Sequence, residues 1–231
     1  MSMTLNPVNE AAFQKAVQSL ETLNRAAVFH PTGTGKSCIA WKVVEAHPQT
    51  TFFWLVAGAQ RLALRQAELT RYNGGTLPGN VRFCDCEKLA AATPEQWVRL
   101  GEQKPGCIVL DCYHELSAVC WAQSVQKLLR MCPQAKVLGL GVPNGAPVCA
   151  AAQELFADCI VSHMTVAEAM AAGTMPVPSA YAALLWPQEE ELATLRARIK
   201  NLCMPKGDTS LRVQYEELSW SLRQVENLTV L

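Results

Sequence analysis

His30-Pro31-Thr32-Gly33-Thr34-Gly35-Lys36-Ser37 follows the apolar run Arg25–Phe29 (RAAVF) and leads into a second apolar stretch, Cys38–Val44. This order predicts a short strand, a glycine-rich turn, then a helix. Gly33 and Gly35 let the backbone curl so that successive N–H groups point inward. The first turn of the helix adds N–H groups that have no partner of their own. Such a turn takes phosphate, because the free donors and the helix dipole both favour an anion. Lys36 is placed to reach β- and γ-phosphates, and the Ser37 hydroxyl to ligate Mg2+. The general pattern is G-x-x-x-x-G-K-[ST]. Here His30 stands in its first glycine slot, while T-G-x-G-K-S is intact. Thr32, Gly33, Thr34, Gly35, Lys36 and Ser37 are therefore the candidate phosphate-binding residues. A chance glycine-rich turn would not put a Lys-Ser pair in register between a strand and a helix.

Outward from the loop, the chain alternates two kinds of segment. Phe13, Ala16, Val17 and Leu20 sit at helical spacing, which predicts a helix over Val8–Thr22. Thr51–Val56 is a continuous apolar run, as expected of a strand buried on both faces. Arg61–Tyr72 reads as helix and stops at Asn73-Gly74-Gly75. Asn80–Cys84 reads as strand, Pro94–Gly101 as a short helix, Cys107–Leu110 as a buried strand, Ala118–Met131 as helix and Lys136–Leu140 as strand. Strands alternating with helices predict an α/β fold, a mostly parallel sheet with helices on both faces. In such sheets ligands bind beyond the carboxyl ends of the strands. Asp111 follows the strand CIVL directly, where a carboxylate can hold Mg2+ directly or through water.

The composition narrows the function classes. The 231 residues carry 20 Lys plus Arg and 20 Asp plus Glu, so the net charge is zero with His neutral. Half the residues are apolar and 17% are charged, against about 25% in a typical soluble domain. This excludes intrinsic disorder and a strongly cationic nucleic-acid glove. The start of the chain has no basic, then apolar, leader, and no apolar run approaches the ~18 residues of a membrane helix. The ten cysteines are scattered without a C-x-x-C pair, and Cys84-x-Cys86 stands alone. The expectation is a cytoplasmic protein that uses reduced Cys as a small hydrophobe, with no membrane partner.

Beyond residue 150 the pattern changes. Thr165-x-x-Glu168 is a capping box opening a short helix that Gly173 ends, and Met175–Pro178 is a connection. Leu192, Leu195, Ile199 and Leu202 form one apolar seam; Leu211, Tyr215, Leu218, Leu222 and Val225 form another. Pro205-Lys206-Gly207 separates them, which predicts a helical hairpin whose stripes serve packing. The expected division is a lobe over 1–180 and a hairpin or linker extension over 181–231.

On Pro31–Ser37, the chain resembles the N-terminal RecA-like lobe of superfamily 2 (DEAD/DEAH-type) helicases, a P-loop NTPase lobe. Further segments follow in the family's order. Leu55–Gln66 lies where that family has Pro-Thr-Arg-Glu-Leu-Ala, and Asp111-Cys112-Tyr113-His114 where it has Asp-Glu-x-His. Leu138–Asn144 lies where it has Gly-Leu-Ser/Thr-Ala-Thr-Pro, and Ala167–Pro178 is similar to the connection after the lobe. The resemblance implies ATP and Mg2+ as cofactors, with Ser37 and Asp111 as the metal ligands. It makes Asp111 and His114 catalytic positions, and nucleic acid the track.

The departures from that pattern bear on activity. The residue after Asp111 should be the Glu that activates water, and it is Cys112. Loss of a general base costs ~10²–10⁴ in rate. Gly141 and Pro143 replace two hydroxyl residues, and Gly58-Ala59-Gln60-Arg61 replaces the backbone-binding Pro-Thr-Arg-Glu. Arg61 or Arg65 could compensate, although a solvated helix face is the plainer reading of Arg61, Arg65 and Arg71. Glu10 is the nearest stand-in for the family's adenine-side glutamine. The family's second lobe, which carries an arginine finger worth roughly 10³–10⁵ in related phosphoryl transfer, is expected to lie outside these 231 residues.

The leading expectation is an ATP-binding lobe with weak or no hydrolysis alone. A second is a helicase or translocase subunit completed by a partner chain carrying the second RecA-like lobe. A third is an interaction domain with a vestigial loop.

Overall fold

The computed structural model describes residues 3–111, 113, 119–143, 155–177, 193–194 and 196–197. Six short strands form the sheet: β1 Arg25–Phe29, β2 Phe52–Val56, β3 Val81–Asp85, β4 Cys107–Leu110, β5 Lys136–Gly141 and β6 Ile160–His163. Their order is β3-β2-β4-β5-β1-β6, and each neighbouring pair is parallel. The helices are α1 Pro7–Thr22, α2 Lys36–Ala46, α3 Ala59–Tyr72, α4 Cys86–Ala90, α5 Pro94–Glu102, α6 Val119–Met131 and α7 Val166–Ala171.

The apolar runs explain the two-sided packing. Every residue of β2 (FFWLV) and β4 (CIVL) is buried, and side chains alternate between faces along a strand. Phe52, Trp54, Val56 and Val109 join one core with Ala12, Ala16 and Leu20 of α1, Ile39 and Val43 of α2, and Leu69 of α3. Phe53, Leu55, Ile108 and Leu110 join the opposite core with Leu89 of α4, Trp97 of α5, and Val125 and Leu128 of α6. Fully burying a side chain of this size stabilises by about 1.5–3 kcal/mol.

Helix ends follow local chemistry. Asn6 caps α1 through its side chain, and Pro7 takes the first helical position. Thr93 with Gln96, and Thr165 with Glu168, form reciprocal capping boxes at α5 and α7. The second of these is the box expected from the sequence. Burial pushes the Cys84 thiol up to about 11. Burial, with Cys84 and Asp85 alongside, pushes that of Cys86 up to about 12. Both act as protonated, apolar side chains.

The sheet order decides where a ligand can sit. From β1 the chain crosses to β2 and β3 at one edge, then fills the gap with β4 and β5 before passing to β6 at the other edge. The carboxyl ends of β1 and β4 are therefore separated by one strand, β5. In an open parallel sheet that is where a ligand crevice forms.

The chain divides into two compact units, Met1–Val177 and Pro178–Leu231. The apolar seams expected between Leu192 and Val225 lie outside the described residues, apart from helical positions at 193–194 and 196–197. Among the described residues no helix is long and apolar enough to cross a membrane.

Candidate phosphate site

The loop leaves β1 while still tied to the sheet: the His30 N–H donates to the Gly141 carbonyl at 3.2 Å. It then curls. The Thr34 hydroxyl donates to the Pro31 carbonyl at 2.8 Å. Gly33 and Gly35 both have positive φ, 88° and 91°, and Gly35 caps α2. Gly35 is required on two counts. L-residues disfavour its φ, and a Cβ there would lie 2.8 Å from the Asn9 amide nitrogen. That amide, on α1, donates to the Thr34 carbonyl at 2.8 Å, fixing the loop from outside. Lys36 lies back across the turn, its Nζ donating to the carbonyls of His30 at 2.7 Å and Pro31 at 2.8 Å. Thr32 and Gly33 are exposed at the tip.

His30 is fully buried. Its Nε2 lies 2.7 Å from the Ser162 hydroxyl on β6, and its Nδ1 has no partner among the described residues. Burial, then the neighbouring charges of Lys36 and His163, lowers its pKa to about 4. At neutral pH the residue in the first glycine slot is an uncharged imidazole.

Asp111 sits just past β4 and is 2% exposed. Its Oδ2 accepts from the Trp54 indole at 3.1 Å and from Nε of Arg65 at 2.6 Å. Nη1 of the same arginine donates to the Ser37 hydroxyl and to Glu68. Burial works against the charge on Arg65. The Asp111 and Glu68 carboxylates outweigh it and hold the pKa above its ordinary value. The two residues expected to ligate Mg2+ thus converge on one point, and a guanidinium fills it. Mg2+ demands near-octahedral oxygen ligation at about 2.0–2.1 Å. It does not fit between Ser37 and Asp111 while Arg65 bridges them.

Comparison with solved structures agrees with this architecture. The Sulfolobus solfataricus SWI2/SNF2 ATPase core in complex with dsDNA superposes over 97% of this chain and 58% of its own, with a TM-score of 0.52 and 12% identity. The chain has the RecA-like fold of helicase ATPase lobes. A hypothetical ATP-dependent RNA helicase from Sulfolobus tokodaii aligns over 67% of this chain and 51% of its own, with a TM-score of 0.48 and 11% identity. The present chain therefore spans between half and three-fifths of these two proteins. No protein-family model matches the chain, and no curated protein matches it.

Within this fold the structure brings Thr32 to Ser37 together at the end of β1 and sets Asp111 beside Ser37 through Arg65. Cys112 and His114 lie outside the described residues. Asn9, Trp54 and Arg65 are site residues that the sequence did not single out for these roles. Glu10, the expected adenine-side stand-in, accepts from Gln14 along its own helix at 2.9 Å, whereas its neighbour Asn9 faces the loop. A sequence signal existed for Asn9, a polar residue on the stripe that continues through Ala12 and Ala16. Arg65 likewise precedes the buried Leu69 by four residues on α3. It is therefore no solvated helix-face cation, unlike the exposed Arg71.

Proposed function

We propose that this chain is an ATP-binding lobe related to superfamily 2 helicases, with weak or absent hydrolysis on its own. The observation that supports it best is the curled Thr32–Ser37 turn at the carboxyl end of β1, held by Asn9 and opening directly into α2. In this reading Lys36 exchanges the His30 and Pro31 carbonyls for phosphate oxygens. The backbone N–H groups at the start of α2 supply the remaining donors. Impaired turnover is proposed from Cys112 in the place of the water-activating Glu, and His114 keeps its position in that segment. The lobe is proposed to span 1–180, with 181–231 as an extension, in the cytoplasm.

The test is calorimetric titration of the full chain with ATP, in Mg2+ and separately in EDTA, for the wild type and Lys36→Ala. Wild-type binding in at least one condition, lost in Lys36→Ala, supports the reading. No binding by the wild type in either condition refutes it and favours a vestigial loop.

A nucleic-acid partner is a further part of the proposal, supported by the dsDNA held by the SWI2/SNF2 core. A second lobe on a partner chain would complete a translocase. ATP turnover that rises on adding duplex DNA and candidate partner chains is the result that reading requires.

A further inference from the structure

We infer that Arg65 is the built-in cation of the phosphate site, so that nucleoside di- and triphosphates bind here without a divalent metal ion. The inference rests on the proposed nucleotide reading and concerns what neutralises the ligand. The guanidinium lies within hydrogen-bond reach of both Ser37 and Asp111, the hydroxyl and carboxylate that would otherwise hold the ion. It is well placed to stay there. The Arg65 side chain is 16% exposed and that of Asp111 3%, and separating a largely buried ion pair leaves an uncompensated charge. A divalent ion entering the same space would meet this fixed positive charge at contact distance.

The donor arithmetic favours an anionic ligand. A guanidinium has five N–H donors. Nε serves Asp111, and Nη1 serves Ser37 and Glu68. Nη2 makes no hydrogen bond among the described residues, which leaves two donors in the planar geometry that suits phosphate oxygens. Arg65 sets one positive charge against the Asp111 and Glu68 carboxylates, so it offsets part of the negative charge that would repel a polyphosphate, and Lys36 adds the second cation. Lys36 and Arg65 then flank the start of α2 as two resident cations.

The experiment is titration of the full chain with ATP and with ADP, each in EDTA and in Mg2+. For the wild type the two dissociation constants are expected to agree within about threefold, less than one charge-assisted hydrogen bond would contribute. Arg65→Ala should bind about tenfold or more weakly in EDTA, and Mg2+ should recover part of the loss. Arg65→Lys, which keeps the charge without the fork, should fall between. Wild-type affinity that is tenfold or more higher in Mg2+ than in EDTA would show that the ion displaces Arg65. That result overturns the inference while leaving the nucleotide reading intact. Unchanged affinity of Arg65→Ala in EDTA overturns it as well. Should the variants fail to fold, the wild-type comparison decides alone. Absence of binding in both conditions refutes both readings.

Discussion

The Trp54 indole on β2 donates across 3.1 Å to the Asp111 carboxylate just past the end of β4. The register makes this pair natural. Trp54 lies opposite Val109, and a residue two further along shares the face of its predecessor. Asp111 therefore continues the Val109 face, on which α2 and α3 also pack. The same carboxylate oxygen then accepts from Arg65 on α3. A carboxylate 2% exposed is tolerable because both donors reach it.

Trp54→Phe keeps an aromatic ring in the core and removes the donor. The expected loss is about 1.5–3 kcal/mol, the range for a hydrogen bond to a charged group, read as a lower urea midpoint at unchanged slope. Asp111→Asn should couple with it, so the double variant loses less than the sum of the two single variants. Strict additivity would show that the indole does not support the carboxylate.

Gly141 closes β5 beneath the Phe29 ring, and a Cβ on Gly141 would overlap that ring. Phe29 is 4% exposed and packed in the core with Phe156 and Tyr113. Gly141→Ala is expected to cost about 1–3 kcal/mol, the range for overpacking, measured by thermal or urea unfolding. Gly141→Ser, with a larger side chain, should cost at least as much. Phe29→Leu should relieve part of the penalty in either background. Full stability of Gly141→Ala would place the ring elsewhere.

Of the five strands legible in the sequence, β2 and β4 are buried at every residue, whereas β3 is only partly buried. FFWLV and CIVL are apolar at every position because both sheet faces are covered. The phosphate loop was plain because its glycines and Lys-Ser pair occupy fixed offsets, and the Thr165 box because both partners lie within one turn. β6 was missed. IVSH is four residues long, partly exposed at the sheet edge, and becomes a strand through its pairing with β1. α4 is not legible in the sequence because five residues give no helical period; Asp85 caps it. The helical stripes turn Asn9 and Arg65 inward, but their partners lie 25 and 46 residues away along the chain, and no local pattern names those partners.

Asn9 predicts an asymmetry between two substitutions. Its amide donates to the Thr34 carbonyl, so Asn9→Ala should cost about 1 kcal/mol, the net worth of an ordinary hydrogen bond, and weaken ATP binding by loosening the loop. Asn9→Asp should be worse, since an ionised carboxylate only accepts and would face a carbonyl oxygen. Thermal unfolding of the three proteins at neutral pH checks the order. An aspartate variant as stable as the wild type would rule out the donor role.

His30 predicts an acid-side loss of stability. Its folded pKa of about 4 lies below the ordinary imidazole value of 6.5, so between these values the unfolded chain binds more protons than the folded one. Stability then falls as pH drops from 6.5 towards 4, and below that the loss from this group is complete. Each pKa unit is worth ~1.4 kcal/mol. Solvent screening near the exposed loop tip makes the full shift an upper bound. Lys36 and His163 are the charges that oppose protonation. His30→Gln retains a polar partner for Ser162 and removes the titration. Urea unfolding at a series of pH values should therefore show the variant losing less stability than the wild type across this window. Parallel pH profiles would mean that His30 does not carry the effect, and that other groups set the acid limit of the fold.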